Sequence, residues 1–205
     1  MKIKKIEPGF GCANTYIIFD EKSMDGVMID PGGRADLLQD AAGGINIKYI
    51  FLTHAHFDHI GALEKIAEKT GAPVVTHEAE ALSLTDTRYN LCTFAGVSEN
   101  RREADITVKD GDVIKVGDIE FKFIHTPGHT RGGMCIFAGE KDLITGDTLF
   151  KGTVGRTDFL GGSHEILLES VKKLALFDDD ITIYPGHGEE SNIGFEKRNN
   201  PYITL

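Results

Sequence analysis

The sequence predicts an α/β fold, and three observations carry that prediction. Short apolar runs rich in β-branched and aromatic residues, such as Tyr49-Ile50-Phe51-Leu52, read as buried strands. Helical periodicity follows: Ile60, Leu63, Ile66 and Ala67 fall on one face and Glu64, Lys65, Glu68 and Lys69 on the other, until Gly71 and Pro73 stop the pattern. Four strand-like runs also end beside a His or Asp, and the carboxyl ends of strands are where α/β sheets bind ligands.

The elements follow in order. Residues 3–6 read as a strand, 15–19 and 26–29 as a hairpin turning near Met24-Asp25, and 35–41 as a helix. After the strand at 49–52 and the helix from Ile60 come a short strand at 74–75 and a helix over 78–84. Residues 85–103 form the longest irregular stretch, with Tyr89, Phe94, Arg101 and Arg102; a loop of that length reads as an active-site rim, with Tyr89 a substrate contact. Strands are expected at 106–108, 112–116, 120–124, 133–138, 142–145 and 181–184. Ser163 caps a helix over 165–176, with Glu165 favourable in its first turn. No repeat, low-complexity segment or linker interrupts the chain, so residues 1–205 read as one domain.

The chemistry concentrates in His54-Ala55-His56-Phe57-Asp58-His59, between the 49–52 strand and the helix that follows. In an extended stretch His54 and His56 project to one side and can share an ion, whereas Asp58 and His59, past the turn, can face a second. Neutral imidazole and carboxylate suit zinc, and also manganese or iron. Other strand ends offer more ligands: Thr126-Pro127-Gly128-His129-Thr130, Gly146-Asp147-Thr148 and Pro185-Gly186-His187-Gly188. His77, His125 and His164 have no motif around them and read as structural or surface residues.

Taken in that order, the HxHxDH, TPGHT, GDT and PGHG motifs resemble the metallo-β-lactamase superfamily, over nearly the whole chain from Asn14-Thr15-Tyr16 and Ile29-Asp30-Pro31-Gly32 onward. The resemblance implies an αββα sandwich of two mixed sheets flanked by helices. It also implies one metal held by His54, His56 and His129, a second held by Asp58, His59 and His187, and Asp147 bridging them. Gly146-Asp147-Thr148-Leu149-Phe150, Gly155-Arg156-Thr157-Asp158-Phe159 and Glu196-Lys197-Arg198-Asn199-Asn200-Pro201 resemble the short, single-domain glyoxalase II-like hydrolases of hydroxyacyl-glutathione thioesters. The larger members carry a C-terminal helical domain for which little chain remains after His187. They also tend to have a glutathione-contacting Lys where this chain has Arg156, and Tyr where it has Asp158. Arg156 is therefore a candidate substrate contact; the alternative is a buried ion pair with Asp158 bracing the metal loop.

A formal net charge of −10 argues against a nucleic-acid substrate. The clustered positive pairs, Arg101-Arg102 and Lys197-Arg198, could meet an anionic substrate. No run approaches the ~20 apolar residues of a membrane helix, and the start has no apolar signal region. Cys12, Cys92 and Cys135, odd in number and scattered, suit a reducing cytoplasm.

These features predict a cytoplasmic metal-binding protein, and the resemblance implies a metallo-hydrolase carrying two divalent ions, zinc first, and acting on a small anionic thioester. A water shared by the ions supplies the nucleophile, and Asp58 is both ligand and orienting group. Persulfide dioxygenases share the resemblance; by the same matching they would hold one iron on His54, His129 and Asp147.

Overall fold

A computed structural model describes residues 1–98, 100 and 102–203 of the chain. Two six-stranded sheets pack face to face. The first takes β1 (Lys2–Ile6), β2 (Thr15–Phe19), β3 (Asp25–Ile29), β4 (Asn46–Phe51), β5 (Val74–His77) and β6 (Ile106–Val108), adjacent in sequence order. The second takes β7 (Val113–Val116), β8 (Ile119–His125), β9 (Met134–Ala138) and β10 (Asp142–Gly146). After a separate hairpin of β11 (Leu149–Phe150) and β12 (Thr153–Val154), it is completed by β13 (Thr182–Pro185) and β14 (Ser191–Asn192). Its spatial order is β14-β13-β10-β9-β8-β7. Both sheets mix parallel and antiparallel pairs.

Strand residues divide between two cores. Tyr16, Ile18, Val27, Ile29 and Phe51 meet Phe121, Phe123, Ile136 and Ile144 between the sheets. Phe51 makes edge contacts with Phe121 and Phe123 at 5.3 and 5.1 Å, each worth ~0.5–1.5 kcal/mol beyond its buried area. The alternate residues Ile17, Phe19, Met28, Ile50 and Leu52 face outward onto α1 (Ala35–Ala41) and a helix farther along the chain. That helix lies past the short α2 (Phe57–Ile60): it is α3 (Leu63–Thr70), docking through Leu63 and Ile66. The short α4 (Thr87–Asn90) and α5 (Cys92–Ala95) precede β6 in the chain, and on the far side of the second sheet lie α6 (His164–Leu174) and α7 (Ile193–Asn199). They dock through Leu167, Val171, Leu174 and Ile193. The order is helix, sheet, sheet, helix, as the resemblance implied.

Strand direction places the site. β8 and β10 both run antiparallel to β9, and β13 runs parallel to β10, so β8, β10 and β13 point the same way. β3, β4 and β5 are parallel in the first sheet. Backbone hydrogen bonds join the loops beyond these ends: Ala13 N–H to Asp58 O at 3.0 Å, Asn14 N–H to Gly186 O at 2.7 Å, and Met134 N–H to Thr53 O at 3.0 Å.

Three local expectations need correction. The helix expected from Ile60 is split, because Asp58 O, which Ala62 N–H would meet in a continuous helix, accepts from Ala13 instead, and Ala62 donates to Pro31 O at 2.8 Å. The helix expected over 78–84 is reduced to a 3-10 turn, Ala81–Leu84, set by three-residue bonds from Glu80 N–H to His77 O and Ser83 N–H to Glu80 O. The 85–103 stretch holds α4 and α5, the former capped by Asp86 accepting from Arg88 N–H. Arg101 lies outside the described residues; Arg102 pairs with Asp105. The Ser163 cap is present, accepting from Ile166 N–H. No helix among the described residues is long and apolar enough to cross a membrane.

Candidate metal centre

Seven side chains converge where the loops meet. His54, His56, Asp58 and His59 come from the loop and first helical turn after β4, His129 from the turn after β8, Asp147 from the end of β10 and His187 from the end of β13. Gly186 permits the convergence: a Cβ there would lie 2.2 Å from Asp147 Oδ1 and 2.8 Å from His59 Cε1. Gly146, at φ +49°, turns the chain so that Asp147 can point back.

The first group is three imidazoles. His54 Nε2, His56 Nδ1 and His129 Nε2 lie 3.1, 3.2 and 2.9 Å apart. A tetrahedral ion with ~2.0–2.1 Å bonds to nitrogen has ligand atoms ~3.3 Å apart, so the trio is close to that geometry. Two of the rings are oriented through their far nitrogen, His54 Nδ1 on Thr53 Oγ1 at 3.2 Å and His129 Nδ1 on the Arg156 carbonyl at 2.7 Å.

The second group is Asp58, His59 and His187. His187 Nε2 is 3.0 Å from Asp58 Oδ2, and His59 Nε2 is 3.8 Å from the same oxygen. Asp147 stands between the groups: Oδ1 is 3.3 Å from His59 Nε2, and Oδ2 is 3.6 Å from both His129 Nε2 and His187 Nε2. His59 Nε2 and Asp147 Oδ1 are buried and complete no hydrogen bond, although they face each other. Buried polar atoms normally find partners, and a divalent ion satisfies both. The donor set therefore fits the metals that its chemistry suggests.

Protonation agrees. Burial, then repulsion among neighbouring imidazoles, holds His54 well below the ordinary histidine value and His56 down to about 3, so both are neutral, with lone pairs free for an ion. Burial opposes charge on His59 as well, but Asp147, Asp58 and Asp30 overcome it and raise its pKa. His187 is raised chiefly by its hydrogen bond to Asp58. Asp58 and Asp147 both stay ionised against burial because His59 lies beside them.

Asp30 was not singled out as functional from the sequence. Its Oδ2 accepts from Thr53 Oγ1 at 2.6 Å and lies 2.9 Å from His59 Nδ1, while Oδ1 accepts from Thr53 N–H at 2.8 Å. It therefore orients His59 as Thr53 orients His54. It does so at φ +52°, a conformation that strains a residue with a Cβ. The signal was present: Asp30-Pro31-Gly32 is another strand-end carboxylate on a turn.

The cluster opens into a cavity of about 440 Å³ walled by Phe94, Phe150, Phe159 and Arg156, with His187 40 % exposed at its floor. The four candidate substrate contacts fare differently. Arg156 lines the cavity, stacked 4.0 Å over Phe159, and its pair with Asp158 is solvent-exposed rather than buried. Tyr89 sits under Arg131, with the guanidinium 5.0 Å from its ring centroid, and is not among the lining residues. Lys197 is held by the Phe177 carbonyl and Asp179, and Arg198 by Asp179, on α7 away from the lining residues. His125 bonds to Arg131 O rather than to any ligand and stacks on His77 at 3.9 Å.

Comparison with known proteins agrees with this geometry. The family model of the metallo-beta-lactamase superfamily matches residues 8–187, and the chain belongs to that superfamily. The hydroxyacylglutathione hydrolase GloC of Haemophilus influenzae is 34% identical over 93% of this chain and 92% of its own. Among solved structures, BLEG-1 B3 metallo-beta-lactamase superposes with TM-score 0.94 at 32% identity, covering 100% of both chains. TTHA1623 in a di-iron-bound form gives 0.85 at 30% identity over 97% and 99%, and ETHE1 from Myxococcus xanthus 0.81 at 31% over 98% and 84%.

Proposed function

We propose that the protein is a two-metal hydrolase of thioesters, with a hydroxyacyl-glutathione as the substrate class. The observation that carries this reading is the pair of ligand groups meeting at Asp147 on the floor of an open cavity. Two divalent ions bound there supply an acidified water and polarise a carbonyl. The similarity to GloC over nearly the full chain supports a thioester substrate.

The chain's own groups divide the remaining work. Hydrolysis adds the water oxygen to the acyl carbon, breaks the C–S bond and returns one proton to the departing thiolate. Asp58 is 16 % exposed on the cavity wall and ionised, so it can orient the water as well as ligate. Arg156 lines the cavity with its guanidinium stacked on Phe159 and paired with Asp158, and we assign the carboxylates of an anionic thiol to that wall. On the other side, Phe57 and Asp58 also wall a second cavity of about 590 Å³ with Phe10, Cys12 and Val97, and we assign the acyl group to that side. Zinc, manganese and iron all suit this donor set. We place no nucleic acid or membrane among its partners.

The test is thiol release from S-lactoylglutathione by protein loaded with zinc or manganese, beside His56→Ala. Saturable turnover that disappears in the variant is expected. The ETHE1 likeness and the proximity of His129 to both His54 and Asp147 favour one further reading, iron-dependent persulfide oxidation. One bound iron, oxygen uptake with a persulfide and no thioester turnover would select it and reject the hydrolase.

A further inference from the structure

Glu80 is a carboxylate at 1 % exposure, and among the described residues no cation pairs with it. Its backbone is fixed in the turn that leads into the 3-10 segment. Its Oε1 accepts from Ala55 N–H at 3.0 Å, and its Oε2 accepts from Thr130 Oγ1 at 2.9 Å and from Gly132 N–H at 2.8 Å. Ala55 is the residue between His54 and His56, and Thr130 follows His129. One side chain thus ties together both loops that supply the three-histidine group.

The contact is built closely. A Cβ on Gly132 would lie 2.3 Å from the Glu80 nitrogen, so only glycine lets the 130–132 turn approach this far. All three partners are donors, which suits an ionised carboxylate, although burial pushes the carboxyl pKa up against those bonds. A buried carboxylate with no cation is expensive. The adjoining group holds three imidazoles and no carboxylate, ligands that bring no negative charge, so an ion held there would keep much of its positive charge, to which Glu80 is the complement.

We infer that Glu80 is a positioning residue: by holding Ala55 and the 130–132 turn on one carboxylate, it sets the spacing of His54, His56 and His129 and tunes the first metal group. It leaves the Asp58, His59 and His187 group to Asp30. The inference rests on metal binding by the cluster and not on the identity of the substrate, so its test reads binding alone.

The experiment titrates metal-free protein with zinc against a chelator, and with cobalt(II) followed by its visible bands. His56→Ala and His187→Ala identify which of the two binding steps belongs to which group. Glu80→Gln keeps the shape but turns an amide N–H toward a donor; it is expected to weaken the His56-dependent step about tenfold or more and shift its cobalt bands, leaving the His187-dependent step unchanged. Thr130→Val, which removes one of the three bonds and keeps the carboxylate, is expected to weaken the same step by less, and it serves if the Gln variant does not fold. Equal weakening of both steps, weakening of the His187-dependent step alone, or binding identical to the unsubstituted protein in both variants would overturn the inference.

Discussion

Gly186→Ala tests whether the separation of ligands is set by backbone approach. The added Cβ would sit 2.2 Å from Asp147 Oδ1 and 2.8 Å from His59 Cε1, with the Gly146 carbonyl carbon at 3.2 Å behind. Ordinary contact for such atoms is ~3.5 Å, so the Asp147 carboxylate must retreat by about 1 Å. Metal–ligand distances tolerate only ~0.2 Å, so a retreat of that size takes Asp147 out of reach of any ion also held by His59 or His187. Gly188 provides the comparison. No atom lies within 4 Å of its added Cβ, but its φ is +78°, so Gly188→Ala strains the backbone by ~1–2 kcal/mol without crowding a ligand. Two alanines placed two residues apart should therefore separate. Calorimetric zinc titration should show Gly186→Ala losing at least one of two ions, while Gly188→Ala binds both and melts several degrees lower. If Gly186→Ala takes up two ions with unchanged affinity, the claim that this glycine makes room for the site is wrong.

Asp30→Asn should weaken metal binding at the Asp58, His59 and His187 group by about 10–100-fold, since the amide no longer holds the His59 ring with charge; chelator competition measures it, and an unaltered second step would contradict the role given to Asp30. Stability of the metal-free protein should peak near the ordinary histidine value of 6.5. His56, depressed to about 3, makes the unfolded chain the stronger proton binder, so stability is lost as pH falls below 6.5, by up to about 1.4 kcal/mol per pH unit for each such buried histidine. His59 and His187 are raised, so their contribution is complete below 6.5 and is lost as pH rises through their folded values. Thermal melts across that range, flat or monotonic, would refute this.

Much of the site was legible because metal ligands need lone pairs at fixed spacing, and HxHxDH, TPGHT, GDT and PGHG carry that need in a few adjacent letters. The layer order was not legible from periodicity. Residues 15–19 are buried on both faces, so Thr15-Tyr16-Ile17-Ile18-Phe19 shows no alternation, and the sandwich came from the resemblance. The roles of Asp30 and Glu80 are not legible in the sequence because the partners of each carboxylate lie far off, at Thr53 and His59 for the one, whose strand-end turn marks only its position, and at Ala55, Thr130 and Gly132 for the other. Lys197 and Arg198 were named for charge alone, and charge does not say which way a helix faces; their partner is Asp179. Arg156 lines the cavity, but its carbonyl, which any residue would supply, is what touches a ligand.

The ligands divide unevenly between the two sheets: His54, His56, Asp58 and His59 leave the first, and His129, Asp147 and His187 leave the second. Neither half holds a complete set for either group. With ions held in both groups, any fluctuation that parts the sandwich at this rim would break both coordination shells before either sheet has lost a strand. Ion release and the first opening of the fold are then one event, and the metal's binding free energy adds directly to the cohesion of the two halves. On the two-metal reading, the cell's metal supply would then determine how long this protein survives, as well as what it can catalyse.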